Sequence, residues 1–430
     1  MSKVELLSPA GTLEKLKIAL DFGADAVYGG VSHFSLRIRS GKEFSMEEFK
    51  EGIDYAHSKG KKVYATINGF PFNSQLNLLK KHIIAMGELK PDAFIVATPG
   101  VLKLCHDLVP DMPLHLSTQA NVMNVLDAQI YHEMGATRII TAREISLKDL
   151  VAIKKELPNL ELEVFVHGSM CFAYSGRCLI STLQSGRVPN RGSCANDCRF
   201  EYELYAANPE TGTLFRLEEE AGVGTYIMNA KDLNLASHMK EILDSGVVDS
   251  VKVEGRTKTA YYAATTAKAY RMAIDDYYAN EFHDEKYQYE LQSLQNRGYT
   301  DAYLVSRPFE KHDTQSLDFT MQMGTHQVSG VVNAEGTHFL CKYKTLPNDE
   351  LEVVFPLGSK VSIVDNEYGS TYEKDGRFYM QFKQLKAKNG KVLEAIHSGN
   401  LNEIILPTQF PAYTFFRVAA HPDMGTAPKR

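Results

Sequence analysis

Apolar residues recur along the chain in one repeated phrase: an amphipathic helix, a glycine, two or three residues, then a short β-rich strand. It reads LEKLKIALDFGADAVYGG, then FKEGIDYAHSKGKKVYATING, AQIYHEMGATRIITAR and finally HMKEILDSGVVDSVKVEG. Gly23, Gly60, Gly135 and Gly246 fall just past the helices, where a left-handed residue closes the last turn. Units with weaker punctuation lie between them, among them PDAFIVAT, MPLHLSTQ and LELEVFVHG. Strands alternating with helices imply parallel pairing, and eight such units within about 280 residues predict a closed (β/α)8 TIM-like barrel. No G-x-G-x-x-G follows the first strand, which counts against a doubly wound nucleotide-binding sheet.

The rhythm breaks twice. After the strand ending at His167, Gly168 and Ser169, more than a normal loop's length passes before the next amphipathic helix, AKDLNLASHMKEILDSG. This predicts an insertion after strand 7 at about residues 170–226. After residue 280 the helical period ends, and 281–315 reads as a polar connector. Short alternating runs such as HQVSGVV, HFLCKYK, LEVVFP and RFYMQF follow, separated by turn signals. They predict a small C-terminal antiparallel β domain over 316–430, with the barrel occupying 1–280.

A barrel gathers the C-terminal ends of its strands at one mouth, where catalysis is built. Polar groups end nearly every strand, which makes Asn68, Gln119, His167, Ser169 and Glu254 the candidate catalytic residues. The insertion would lie over that mouth. Its cysteine-bearing half carries Arg177, Arg187, Arg191 and Arg199 against the single acid Asp197, a basic lip suited to a phosphate-bearing ligand.

Composition narrows the class. Hydrophobic residues make up 44% and charged residues 23%, ordinary values for a globular chain, and the net charge of -6 argues against coating nucleic acid through overall charge. The start has no apolar signal-peptide core and no later stretch is long and apolar enough to span a membrane, so a cytoplasmic enzyme or binding protein is expected. Of the six cysteines, Cys105 and Cys341 stand alone and read as buried small hydrophobes. The other four, Cys171, Cys178, Cys194 and Cys198, form C-x6-C-x15-C-x3-C inside the insertion. In a reducing compartment such thiols are metal ligands or catalytic groups more often than disulfides. Lacking the paired C-x2-C knuckles of structural zinc sites, the pattern places an iron–sulfur site, with a [4Fe-4S] cube as its four-thiolate form, ahead of zinc. No G-x-S-x-G, H-E-x-x-H or Walker loop is present, and no third group is legible to orient His167 beside Ser169.

The run EVFVHGSMCFAYSGRCLIS, residues 163–181, resembles the signature of peptidase family U-32, the collagenase-like proteins. LLSPAG, GADAVYGG, STQANVMN, SVKVEGR and NRGYTDAYL agree with it. The length, the β extension and NRGYTDAYL are most similar to the family's tRNA-hydroxylating subgroup. That resemblance implies a [4Fe-4S] cluster on Cys171, Cys178, Cys194 and Cys198, and hydroxylation of the tRNA wobble uridine to 5-hydroxyuridine with prephenate as a metabolic requirement. Under it, Arg177, Arg191 and Arg256 would hold phosphates, while Asn68, Gln119, Asn121 and Glu254 would be the polar contacts nearest the chemistry. Two other classes stand beside it: a peptidase using Ser169 or a metal-bound water, and a non-catalytic RNA-binding subunit stabilised by its cluster.

Overall fold

The structure is a computed structural model that describes residues 3–31, 34–35, 44–189, 193–200, 202–217, 229–309, 311–316, 321–399 and 402–420. Seven strands succeed one another in parallel: β1 (Glu5–Pro9), β2 (Ala26–Gly29), β3 (Lys62–Ile67), β4 (Ala93–Val96), β5 (Leu114–Leu116), β6 (Arg138–Ile140) and β7 (Glu161–Ser169). The eighth barrel strand, β8 (Ser250–Val253), pairs in parallel with both β7 and β1 and closes the cylinder. The expected eight-stranded barrel is therefore the observed one.

Local chemistry sets where each helix begins. Thr12, Thr98, Asn124, Ser146 and Thr259 each accept a hydrogen bond from a first-turn amide, and Ser45 forms a reciprocal capping box with Glu48. The helices end as the phrase predicts, with Gly23, Gly60, Gly135 and Gly246 all at positive φ. One apolar core, from Leu6 and Val27 to Leu162 and Val251, lies between the helices and the sheet.

The inside of the cylinder is charged as well as apolar. Glu163 on β7 has no exposure; its oxygens take Arg138 of β6 at 3.0 Å and Lys252 of β8 at 2.8 Å. Arg138 also reaches Glu5 of β1 at 2.6 Å, and Glu5 accepts from the Tyr64 hydroxyl of β3 at 2.7 Å. Five strands are thus tied by one buried network.

Two parts of the chain differ from the sequence expectation. The segment expected to open an amphipathic helix instead forms a strand, Asp232–Asn234, antiparallel to the end of β7. It does so because Asp232 is committed to the buried Arg297, whose guanidinium pairs with the carboxylate and whose backbone amide donates to it at 3.2 Å. The helix proper starts later, at Met239. The stretch read as a polar connector is packed structure: a helix at Asp284–Gln292 and a short strand, Tyr299–Thr300, beside Asp232–Asn234. Its polar residues are interspersed with buried Tyr287, Leu291 and Leu294, which the low overall hydrophobicity of the segment concealed.

Beyond it lies the expected antiparallel domain, a seven-stranded sheet ordered Gly369–Lys374, Arg377–Phe382, Leu351–Val354, Phe415–Ala419, His326–Val332, His338–Cys341 and Ile404–Ile405. Its junction with the barrel is centred on Arg417, which is fully buried. The guanidinium donates to Glu290 at 2.7 Å, Glu352 at 2.7 Å and the Tyr261 hydroxyl at 2.8 Å, joining the sheet to the two helices at Ala260–Ala279 and Asp284–Gln292. Phe415 packs its ring 6.1 Å from Phe22 and 5.4 Å from Tyr261.

Burial alone would raise the Glu290 carboxyl, but Lys268 and Arg417 outweigh it and bring the group down to about 2. A carboxylate with a depressed folded pKa contributes stability that is complete above its unfolded value near 4.5 and is lost as pH falls toward about 2. Glu290→Gln should therefore lower stability at pH 7 by about 3 kcal/mol. Urea unfolding from pH 7 to pH 3 should show the variant losing less additional stability below about pH 4.5 than the wild type. Parallel pH profiles would rule out this role for the ion pair.

Candidate active site at the barrel mouth

The C-terminal ends of the strands enclose a cavity of about 130 Å³. Lys252 forms its floor, with Tyr28 and Phe165 beside it; the ammonium nitrogen lies 4.3 Å from the Tyr28 ring centroid and 5.7 Å from that of Phe165. Burial pulls the Lys252 pKa down and the Glu163 carboxylate offsets part of that shift, leaving it below the ordinary lysine value. Higher in the cavity the Arg143 guanidinium stacks 4.1 Å above Phe165 and reaches Glu254 at 3.3 Å. Arg256 donates to Ser35 at 2.7 Å and to Thr66 at 3.1 Å. Asn68, Ser117, Thr118 and Gln119 complete the wall, with the Ser117 hydroxyl donating to the Gln119 carbonyl oxygen at 3.1 Å. The arrangement offers three cations, one carboxylate and two amides in a small enclosed volume, which suits binding and orienting an anionic or hydrogen-bonding ligand.

The insertion enters the same cavity. Cys171 and Ser175 belong to its lining. Gly168, at φ +116° near the end of β7, permits a close backbone approach there, since a Cβ would lie 2.5 Å from the Glu254 carbonyl oxygen. Glu144 then holds the loop: it accepts from the Ser175 amide at 2.9 Å and from the Ser175 hydroxyl, while the Arg143 amide donates to that hydroxyl at 3.1 Å. Ser175 takes a left-handed backbone conformation, φ 31°, to make these contacts.

Among the sequence candidates, Asn68, Gln119, Glu254 and Arg256 meet in the cavity together with Cys171. His167 and Ser169 do not. The pairing of β7 with β8 slips between Lys252 and Val253, which pair with Phe165 and His167, so the inward alternation that carries Glu163 and Phe165 is reset at Val166. His167 turns its ring outward among Tyr262, Tyr270 and Tyr299, with centroids 5.8, 5.6 and 5.7 Å away. Burial there, with a smaller contribution from Lys258, draws its pKa down to about 3, so it is a neutral packed ring. Ser169 pairs in register with Asp232 and lies outside the cavity lining. Asn121 adopts a left-handed conformation just past Gln119; its amide atoms are buried without a hydrogen-bond partner, and it does not line the cavity. Arg177 is exposed on the insertion, and Arg191 lies outside the described residues.

Sequence reasoning missed Lys252, and it placed Arg143 and Glu144 among the strand ends at the mouth without giving either a role. Lys252 sits one residue before the end of β8 within SVKVEG, a charged residue in a run otherwise buried, and that was the available signal. Arg143 and Glu144 stand at the end of β6, where the barrel geometry already pointed.

All four insertion cysteines are free thiols; Cys171 and Cys194 are exposed, Cys178 and Cys198 partly buried. Burial raises the Cys198 thiol, Arg199 lowers it, and Cys194, Cys171 and Cys178 each raise it further, so the four thiols share one electrostatic neighbourhood. Among the described residues, no three histidine, cysteine or carboxylate side chains stand together as a ready single-ion site. Four soft donors in one neighbourhood are the kind of donor set that an all-thiolate metal centre, an iron–sulfur cluster or zinc, would take. Cys105 and Cys341 are buried apart from them, as expected.

Comparison with known proteins agrees with this architecture. The sequence model described as Peptidase family U32 matches residues 11–314. The chain is 58% identical over 417 residues to the tRNA hydroxylation protein P of Helicobacter pylori (strain ATCC 700392 / 26695), spanning 97% of this chain and 99% of that protein. It is 36% identical over 399 residues to the tRNA hydroxylation protein P of Escherichia coli (strain K12), spanning 84% and 88%. With the collagenase of Porphyromonas gingivalis (strain ATCC BAA-308 / W83) it shares 28% identity over 316 residues, spanning 70% and 74%. The chain belongs to peptidase family U32.

Proposed function

We propose that this protein hydroxylates tRNA, converting the wobble uridine to 5-hydroxyuridine at the barrel mouth, with a [4Fe-4S] cluster held by Cys171, Cys178, Cys194 and Cys198 and with prephenate as the required metabolite. The observation that carries the reading is the position of Cys171, a thiol of the cysteine set that is also a wall of the polar cavity. The extensive identity to proteins named for tRNA hydroxylation supports the substrate class. When bound, the cluster would supply redox chemistry beside the cavity, which is needed because replacing C5–H by C5–OH is an oxidation of the base.

The chain's own residues provide recognition. A cavity of about 130 Å³ excludes a duplex, so the target base has to be presented from an unpaired loop. Asn68 and Gln119 each combine a donor and an acceptor, matching the alternating imide edge of uracil, and the bond from Ser117 to the Gln119 carbonyl leaves its Nε2 to donate. Lys252, Arg143 and Arg256 would hold the carboxylates of prephenate. Arg177 is exposed outside the cavity lining and would meet a phosphate. The serine form of the peptidase reading draws no support from the geometry, since neither His167 nor Ser169 lines the cavity.

Anaerobically purified protein should contain about four irons with matching sulfide and absorb visible light, and Cys194→Ser should lose both. Stoichiometric zinc, or protein free of metal with undiminished tRNA hydroxylation, would overturn the cluster assignment. In cells lacking the native gene, Gln119→Leu should reduce 5-hydroxyuridine in tRNA by roughly 10- to 100-fold, the effect of one unmade buried hydrogen bond. Ser169→Ala should leave that level within about 2-fold of wild type, well inside 1 kcal/mol; mass spectrometry of digested tRNA reads both, and a Ser169→Ala defect as large as that of Gln119→Leu would return the serine to the chemistry.

A further inference from the structure

We infer that Phe172, Tyr174 and Phe200 form a stacking platform at the rim of the mouth for the unpaired nucleotides that flank the target base. This rests on the RNA reading above and extends it to how the loop is held. The segment after β7 divides its side chains: Cys171 and Ser175 line the cavity, while Phe172 and Tyr174 between them remain 46% and 45% exposed. Phe200, two residues past Cys198, is 54% exposed. Among the described residues seven phenylalanines and tyrosines are exposed, and four of them, these three and Tyr205, fall between residues 172 and 205. Half-exposed rings forgo part of the about 1.5–3 kcal/mol that complete burial of each would contribute, and Phe172 and Tyr174 do so next to residues that line the cavity, which calls for an occupant.

The surroundings identify its chemistry. Arg177 and Arg187 are exposed on the same insertion and Arg199 adjoins Phe200, so the rings are interleaved with cations in a chain whose overall charge is negative. Aromatic faces interleaved with guanidinium groups are the surface that binds unpaired RNA, the rings stacking bases and the cations meeting phosphates. Part of the platform is also fixed in place. Glu144 and Arg143 clamp Ser175, and the Tyr174 hydroxyl bonds to the Met123 sulfur, so the Tyr174 ring is held before a ligand arrives.

The test is binding of a synthetic anticodon stem-loop with an unmodified wobble uridine to the metal-loaded protein, measured across a salt series. Phe172→Ala and Phe172→Leu should each weaken binding about 5- to 150-fold, the range for one lost stacking contact, with the salt slope unchanged because no phosphate contact is removed. Phe172→Trp should bind within about 2-fold of wild type. Arg177→Ala should instead flatten the salt slope by about 0.7. If Phe172→Ala also loses iron, Phe200→Ala serves as the reading, with the same expectation. Wild-type binding with Phe172→Leu indistinguishable from wild type overturns the platform and leaves the RNA reading standing. Absence of wild-type binding overturns both. A wild-type dimer that Phe172→Ala dissociates would make the rings a self-association face and likewise overturn the proposal.

Discussion

Glu163 is the constraint on which the site depends. A carboxylate with no access to water is tolerable only if its charge is met on both oxygens, and Arg138 and Lys252 meet it from the strands on either side. That demand fixes the mutual register of β6, β7 and β8, and through Arg138 and Glu5 it extends to β1. It also fixes Lys252 at the centre of the cylinder, where an aliphatic residue would ordinarily fill the space. The cavity floor is therefore cationic because the barrel interior is ionic. Arg143, Glu254 and Arg256 stand on the next turn of the same strand ends, so their spacing is inherited from the network beneath them.

A second ionic centre does comparable work away from the chemistry. Arg417 brings one strand of the β domain against two helices of the barrel, and its partners are acids contributed by different parts of the chain. With the packing of Phe415 against Phe22 and Tyr261, this makes the junction part of the core and not a loose tether. The β domain is in this sense a fixed neighbour of the helix at Ala260–Ala279, which follows directly from the strand end bearing Glu254 and Arg256.

Much of this was legible in the sequence because its causes are local. Helix-closing glycines, capping residues and the period of apolar positions are properties of short windows, and they led to eight strands and to a mouth lined by Asn68, Gln119, Glu254 and Arg256. What escaped depends on pairing between distant segments. Nothing near Val166 in the sequence reveals that the register with β8 slips there, and so His167 and Ser169, correctly placed at a strand end, turn away from the cavity. The commitment of Asp232 to Arg297 is equally remote in sequence, and it made a strand where the pattern suggested the start of a helix. Lys252 was hidden for a related reason: its burial is compensated by Glu163, on another strand.

The insertion leaves the barrel at Ser169 and the chain returns at Asp232, and these two residues pair directly in register. The excursion between them is consequently a long loop whose two roots are already neighbours. Closing such a loop costs little more as it lengthens, because the entropy penalty grows only logarithmically with chain length. The barrel can therefore accept excursions of very different size and content at this seam without altering its own strand order. A scaffold of this kind separates two evolutionary problems, keeping a stable cylinder and changing what is suspended over its mouth, so that proteins sharing the cylinder need not share a reaction.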